Sequence, residues 1–143
     1  MATNTITCSG GLFLSKETKR FLLLQRTQAK TAGSWGLVGG KREPYDLTPL
    51  DNLQREIQEE VGNAPTIQKI VPLELFTSND HNFQYNTYVL IVENEFMPTL
   101  NSEHIGYAWC TYDFWPRPLH QALKHSFNNR IIKMKLEILL DLL

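Results

Sequence analysis

The tightest constraint in this chain is the run from Trp35 to Gly62, in which a short apolar strand leads through a glycine pair into a sharply bounded acidic helix. Trp35-Gly36-Leu37-Val38 reads as a buried strand, and Gly39-Gly40 as the opening of a glycine-rich loop. Thr48-Pro49-Leu50-Asp51 reads as a helix start, with Thr48 as N-cap, Pro49 at the first helical position and Asp51 where a capping-box carboxylate sits. Gly62 suits the left-handed residue that closes a helix. Between these limits Leu50, Leu53, Ile57 and Val61 form an apolar stripe, with Glu56, Glu59 and Glu60 beside it rather than opposite. At about 100° per residue, Glu56 and Glu60 lie nearly in line and Glu59 close by, so their carboxylates converge on one volume. Like charges at this spacing cost an isolated helix roughly a few tenths of a kcal/mol each. A hard divalent cation held by oxygen ligands removes that cost. The plainer alternative is a solvated acidic face, and REIQEEVG alone does not decide between the two.

Taken together, Gly40, Asp46, Arg55, Glu56, Ile57, Glu59, Glu60 and Gly62 resemble the Nudix box, G-x5-E-x7-R-E-U-x-E-E-x-G-U with U a bulky aliphatic. Asp46 replaces the first glutamate, the stretch from it to Arg55 is one residue longer, and Asn63 stands where an aliphatic is usual. The extra residue falls in the loop before Thr48, where it is absorbed without rotating the helix. The role of the first glutamate is open between Asp46 and Glu43. The resemblance covers most of the chain and implies an α/β Nudix fold, a mixed β-sheet sandwiched between α-helices, built by residues 1–143 as one domain. It implies hydrolysis of a nucleoside diphosphate linked to another moiety, with Mg²⁺ or Mn²⁺ as cofactor and water attacking within the diphosphate. On that reading Glu56 and Glu60 are the primary metal ligands, Glu59 a further or water-mediated one, and the Gly39 carbonyl an additional ligand. Arg55 orients, its guanidinium forking onto a glutamate of the cluster or onto Asp46.

Asn101-Ser102-Glu103-His104, ahead of Tyr107-Ala108-Trp109, resembles the corresponding stretch of GDP-mannose mannosyl hydrolases, which attack carbon. Glu103 and His104 are therefore candidate general bases beside Glu56 and Glu59. Trp35, Lys41 and Tyr85 are the candidate substrate-binding residues, and Phe83 and Tyr88 could likewise stack on a base or sugar, although aromatics in strands are more often core. Nucleotide sugars, ADP-ribose, dinucleoside polyphosphates and (d)NTPs all stay open as substrates. A non-catalytic nucleotide-sensing domain is disfavoured because Glu56, Glu59 and Glu60 are all present.

Elsewhere, residues 6–14 and 20–26 read as a hairpin joined by a polar turn, and 28–34 as a loop. Residues 67–76 around Pro72, 83–92 and 107–110 read as further strands. Leu123, Phe127, Ile131, Met134 and Ile138 recur at helical spacing, so one amphipathic helix is expected to close the core with that face. A net charge of −1 supplies no basic footprint for polymeric nucleic acid. Partners are expected to be a small nucleotide, with no membrane and a homodimer left open. Cys8 and Cys110 lack metal-ligand spacing, and residues 1–5 lack a basic segment followed by an apolar run, so a cytoplasmic location is expected.

Overall fold

In the computed structural model, residues 5–27 and 33–143 are described; the expected loop at 28–34 and the N-terminal residues 1–4 fall largely or wholly outside them. Among the described residues the order is β1 (Ile6–Ser15), β2 (Arg20–Arg26), β3 (Trp35–Gly36), β4 (Val38–Lys41), α1 (Pro49–Glu60), β5 (Lys69–Thr77), β6 (Phe83–Val92), β7 (His104–Thr111), α2 (Gln121–Phe127) and α3 (Arg130–Leu142). These strands form one mixed sheet in the order β3-β2-β1-β6-β5, with β4 paired to β1 and β7 to β2. The spine is the parallel pair β1 and β6, in register from Ile6 with Phe83 to Ser15 with Val92.

Both halves of that pair are continuously apolar where they are buried on two faces, as parallel strands must be. Leu12, Leu14, Phe21, Leu23, Val89 and Ile91 point to one side, against Leu123 and Phe127 of α2 and Ile132 and Leu136 of α3. Phe13, Leu22, Leu24, Val38, Leu90 and Val92 point to the other, against Leu53, Ile57 and Val61 of α1. Each fully buried aliphatic or aromatic side chain contributes roughly 1.5–3 kcal/mol to holding these layers together. The sheet is thus sandwiched between helices, as the resemblance implies.

Several local expectations are corrected. The hairpin of β1 and β2 holds only beside its turn, at Leu14 with Phe21. Beyond it, β1 takes β4 and β6 as neighbours while β2 takes β3 and β7. Gly39-Gly40 is strand rather than loop: it lies in β4 opposite Gly10 and Ser9, and a side chain on Gly39 would overlap the Ser9 and Gly10 backbone. β5 starts at Lys69 and carries a bulge between Pro72 and Glu74, an arrangement suited to proline on an edge strand. β7 begins at His104, three residues before the expected strand. Leu50 is 37% exposed and stands outside the core that Leu53, Ile57 and Val61 enter.

The largest correction is at the C-terminal end. The expected single helix is two, because Asn128 caps α2 and Asn129, extended at φ −75° and ψ 125°, caps α3 through its side chain on Ile131 N and Ile132 N. The break shifts the helical phase. Leu123 and Phe127 are buried as expected, but α3 buries Ile132 and Leu136 and leaves Ile131, Met134 and Ile138 at the surface.

Candidate active site

The start signal of α1 forms as its residues dictate. Thr48 accepts from Asp51 N at 3.1 Å and Asp51 accepts from Thr48 N at 3.2 Å, a reciprocal cap worth about 1 kcal/mol. Gly62, at φ +73°, ends the helix in the left-handed region. On the face toward β4, Asn52, Glu56 and Glu60 follow one another at four-residue spacing, and all three are buried. Asn52 donates to the carbonyls of Gly40 and Lys41, both at 3.4 Å. Glu60 Oε1 accepts from the Gly39 N–H at 2.7 Å. Gly40 makes room for the third: a Cβ there would meet Glu56 Oε1 at 2.6 Å.

Arg55 ties the acidic groups together. Its Nη2 donates to Asp46 Oδ2 at 2.9 Å and to the Lys41 carbonyl at 3.0 Å. Its Nη1 donates to Glu59 at 3.0 Å and to Glu56 at 3.3 Å. The Tyr45 ring lies 5.7 Å from the guanidinium carbon, within cation–π range. Asp46 is itself fixed by accepting from Glu43 N at 2.8 Å, which places Asp46 rather than Glu43 at the arginine. The Arg55 hydrogen bonds hold the Asp46 carboxyl below its usual range.

The buried carboxylates are held against their preference. Burial pushes Glu60 up to about 8; the Gly39 N–H opposes the shift, and the charges of Glu56 and Glu103 add to it. Burial also raises Glu56, Arg55 opposing and Glu59 and Glu103 adding. A cluster of hard oxygen donors whose negative charge Arg55 compensates only in part fits Mg²⁺ or Mn²⁺ in donor chemistry. Among the described residues, however, no three acidic, histidine or cysteine side chains stand close enough together to enclose an ion, with Arg55 spanning Glu56 and Glu59.

These groups open on a cavity of about 920 Å³. Gly39, Lys41, Arg55, Glu56, Glu59, Glu60, Tyr85 and Glu103, all singled out from the sequence, line it together. Trp35 and His104 are not among the lining residues. Trp35 packs against the core beside α2, its backbone bonded to Pro118 and His120. His104 is buried, its Nδ1 has no hydrogen-bond partner among the described residues, and burial followed by the Arg26 charge lowers its pKa to about 4. The far wall includes Phe83 of β6, a stacking candidate from the sequence, together with residues that were not anticipated: Glu74 and Phe76 of β5, and His125, Ser126 and Phe127 of α2. Ser126 donates to Glu74 at 2.7 Å and so fastens α2 to the edge strand. Strand alternation would have grouped Glu74 with Phe76 and Phe83 with Tyr85; Asn52 was detectable as the residue four before Glu56.

The NUDIX domain family matches residues 9–130. Among solved structures, a MutT NUDIX hydrolase from Burkholderia pseudomallei is similar at 26% identity, with a TM-score of 0.69 over 88% of this chain and 98% of that one. The NUDIX domain of Shewanella oneidensis NrtR, complexed with ADP ribose, is similar in fold at 16% identity, with a TM-score of 0.66 over 94% and 88% of the two chains. A C. elegans Ap4A hydrolase is likewise similar in fold at 20% identity, with a TM-score of 0.66 over 95% and 99%. Among curated proteins, none matches this chain.

Proposed function

From the premise that the chain belongs to the Nudix family, we propose that it hydrolyses a nucleoside diphosphate linked to a sugar or similar group, water attacking phosphorus within the diphosphate. That it is a Nudix hydrolase follows from the family match over residues 9–130; the substrate and the residue roles are the proposal. The observation that carries it is the placing of Glu56 and Glu60, both buried, on one cavity with Glu59 and Glu103.

A divalent cation, when bound, neutralises phosphate oxygens and makes attacking water more acidic. Glu56 and Glu60 would hold it, with Glu59 and the Gly39 carbonyl completing the set. Arg55 keeps Glu56 and Glu59 aligned through its fork, itself anchored on Asp46. Glu103 takes the proton from water, since it lines the cavity near enough to Glu56 and Glu60 to raise the pKa of both. His104, neutral at pH 7 and buried outside the cavity lining, does not serve as base. Lys41 and Tyr85 both line the cavity; the lysine would meet a phosphate oxygen and the tyrosine the group attached to the diphosphate. Among the described residues, no helix is long and apolar enough to cross a membrane.

The test is a panel of diphosphate-linked nucleotides, including nucleotide sugars, ADP-ribose and Ap4A, turned over with Mg²⁺ or Mn²⁺ in ¹⁸O-water. Label in a nucleoside monophosphate or a sugar phosphate is expected. Label in a free sugar released with unlabelled nucleoside diphosphate would overturn attack at phosphorus, and no metal-dependent turnover of the panel would overturn the substrate class. Glu103→Gln should lower kcat by about 10²–10⁴, the usual cost of losing a general base. Unchanged kcat would return that role to the helix carboxylates.

A further inference from the structure

We propose that α3 is a self-association surface, pairing antiparallel with α3 of a second copy about a two-fold axis. Ile131, Met134, Ile138 and Leu142 recur at i, i+3, i+7 and i+11, the spacing of one helix stripe. They are 63%, 52%, 55% and 77% exposed. No residue of α3 lines the active-site cavity, so the stripe is not a ligand surface of the site described above. Isolated surface aliphatics need no explanation, whereas a contiguous apolar stripe does.

The charges beside the stripe identify the occupant. In α3 the first turn holds no acidic residue and the last turn no basic one; instead Arg130 opens the helix and Asp141 lies in its final turn. Both therefore sit against the helix dipole, which favours anions at the N-terminus and cations at the C-terminus. Among the described residues neither side chain has a hydrogen-bond or ion-pair partner, whereas Lys135 donates to the Leu73 carbonyl at 2.9 Å and Glu137 accepts from Tyr112 at 2.7 Å. On a helical wheel Arg130 and Asp141 border the same flank of the stripe. An antiparallel copy reverses the misfit at both ends. Met134 then meets the partner's Ile138, Ile131 meets the partner's Leu142, and Arg130 lies beside the partner's Asp141 and the negative end of the partner helix. A two-fold axis repeats each contact, as an isologous interface requires. A parallel pairing would instead put both Arg130 side chains at one end and both Asp141 side chains at the other, on opposite sides of the seam, and pair none of them. One pair of helices about 20 Å long makes a small interface, so the dimer is concentration-dependent.

Sedimentation velocity of the full chain over a concentration series is the test. The parent should shift from monomer to dimer as concentration rises. Ile138→Glu should abolish the shift while turnover of the active monomer stays at the parental rate, which reports that the variant is folded. Arg130→Asp should raise the dissociation constant roughly tenfold, two exposed pairs being lost at once, and the double exchange of Arg130→Asp with Asp141→Arg should restore it. A parent that is monomeric throughout overturns the proposal. So does a dimer indifferent to Ile138→Glu, or one in which the double exchange fails to rescue the single one.

Discussion

Helices α1 and α3 are nearly equal in length and each is capped by a side chain, yet they break the polar-outside rule in opposite directions. α1 buries Asn52, Glu56 and Glu60 where α3 buries only Ile132 and Leu136. α3 leaves Ile131, Met134, Ile138 and Leu142 on its outer face where α1 leaves mainly polar side chains. Burying a carboxylate costs free energy unless it is paired, and α1 offsets the cost only in part, with Arg55 at Glu56 and the Gly39 N–H at Glu60. Exposing an aliphatic costs folding stability little but leaves a surface open to association. The difference teaches where each helix spends its departure from pattern: α1 at a cavity, α3 at the outer surface.

The largest effect separates the two flanks of α1 itself. Glu56→Gln and Glu60→Gln should each lower kcat/KM by about 10³ or more, roughly 4 kcal/mol of transition-state stabilisation, with no fall in Tm, because each amide keeps the shape and removes buried charge. Leu53→Ala, one turn away on the core flank, should lower stability by about 2–5 kcal/mol. Steady-state kinetics beside thermal melts reads both. A glutamine variant as active as the parent at limiting Mg²⁺ would mean that the buried carboxylates are not the site.

Next in size is the division between the faces of α3. Leu136→Ala should cost about 2–5 kcal/mol in urea unfolding, whereas Met134→Ala, at protein concentrations where the chain is monomeric, should stay within about 0.5 kcal/mol. Equal losses would mean that Met134 is packed in the monomer and that the two helices do not differ as described.

What could be read from residue order follows from which interactions are local. Thr48, Pro49, Asp51 and Gly62 act on neighbours within a turn, so the limits of α1 were legible from their types alone. Glu56, Glu59, Glu60 and Arg55 share one helix, and their convergence needed only its geometry. The break at Asn128-Asn129 was hidden because Leu123, Phe127, Ile131, Met134 and Ile138 sustain a continuous period, and two adjacent asparagines are ordinary helix caps as well as tolerable helix residues. The Gly39-Gly40 strand was hidden for a different reason: it pairs with β1 residues about thirty positions away, at Ser9 and Gly10. The far cavity wall joins β5 to α2 through Glu74 and Ser126, a contact of still longer range that no local pattern announces. The placement of Trp35 and His104 outside the cavity lining depends on such packing as well.

The smallest effect tests whether the burial in α1 is felt as charge. In metal-free protein Glu60 is raised from 4.5 to about 8, so over that range the folded chain holds a proton the unfolded chain has released. Stability present below pH 4.5 is therefore lost as pH rises through about 8. His104 runs the other way: lowered from 6.5 to about 4, it is neutral when folded and charged when unfolded, so its contribution is present above 6.5 and lost as pH falls toward 4. The two oppose each other between 4.5 and 6.5, and from 6.5 to 8 only Glu60 of the pair acts. Across that upper window the metal-free parent should lose at most about 2 kcal/mol from this group, at roughly 1.4 kcal/mol per unit, and Glu60→Gln should flatten the slope. Below 6.5, His104→Gln should flatten the acid limb instead. Denaturant melts of the three proteins at pH 5, 6.5 and 8 separate these windows. A parent whose stability rises from pH 6.5 to 8 as steeply as that of Glu60→Gln would show that Glu60 is ionised without cost, and α1 would then differ from α3 in shape but not in stored charge.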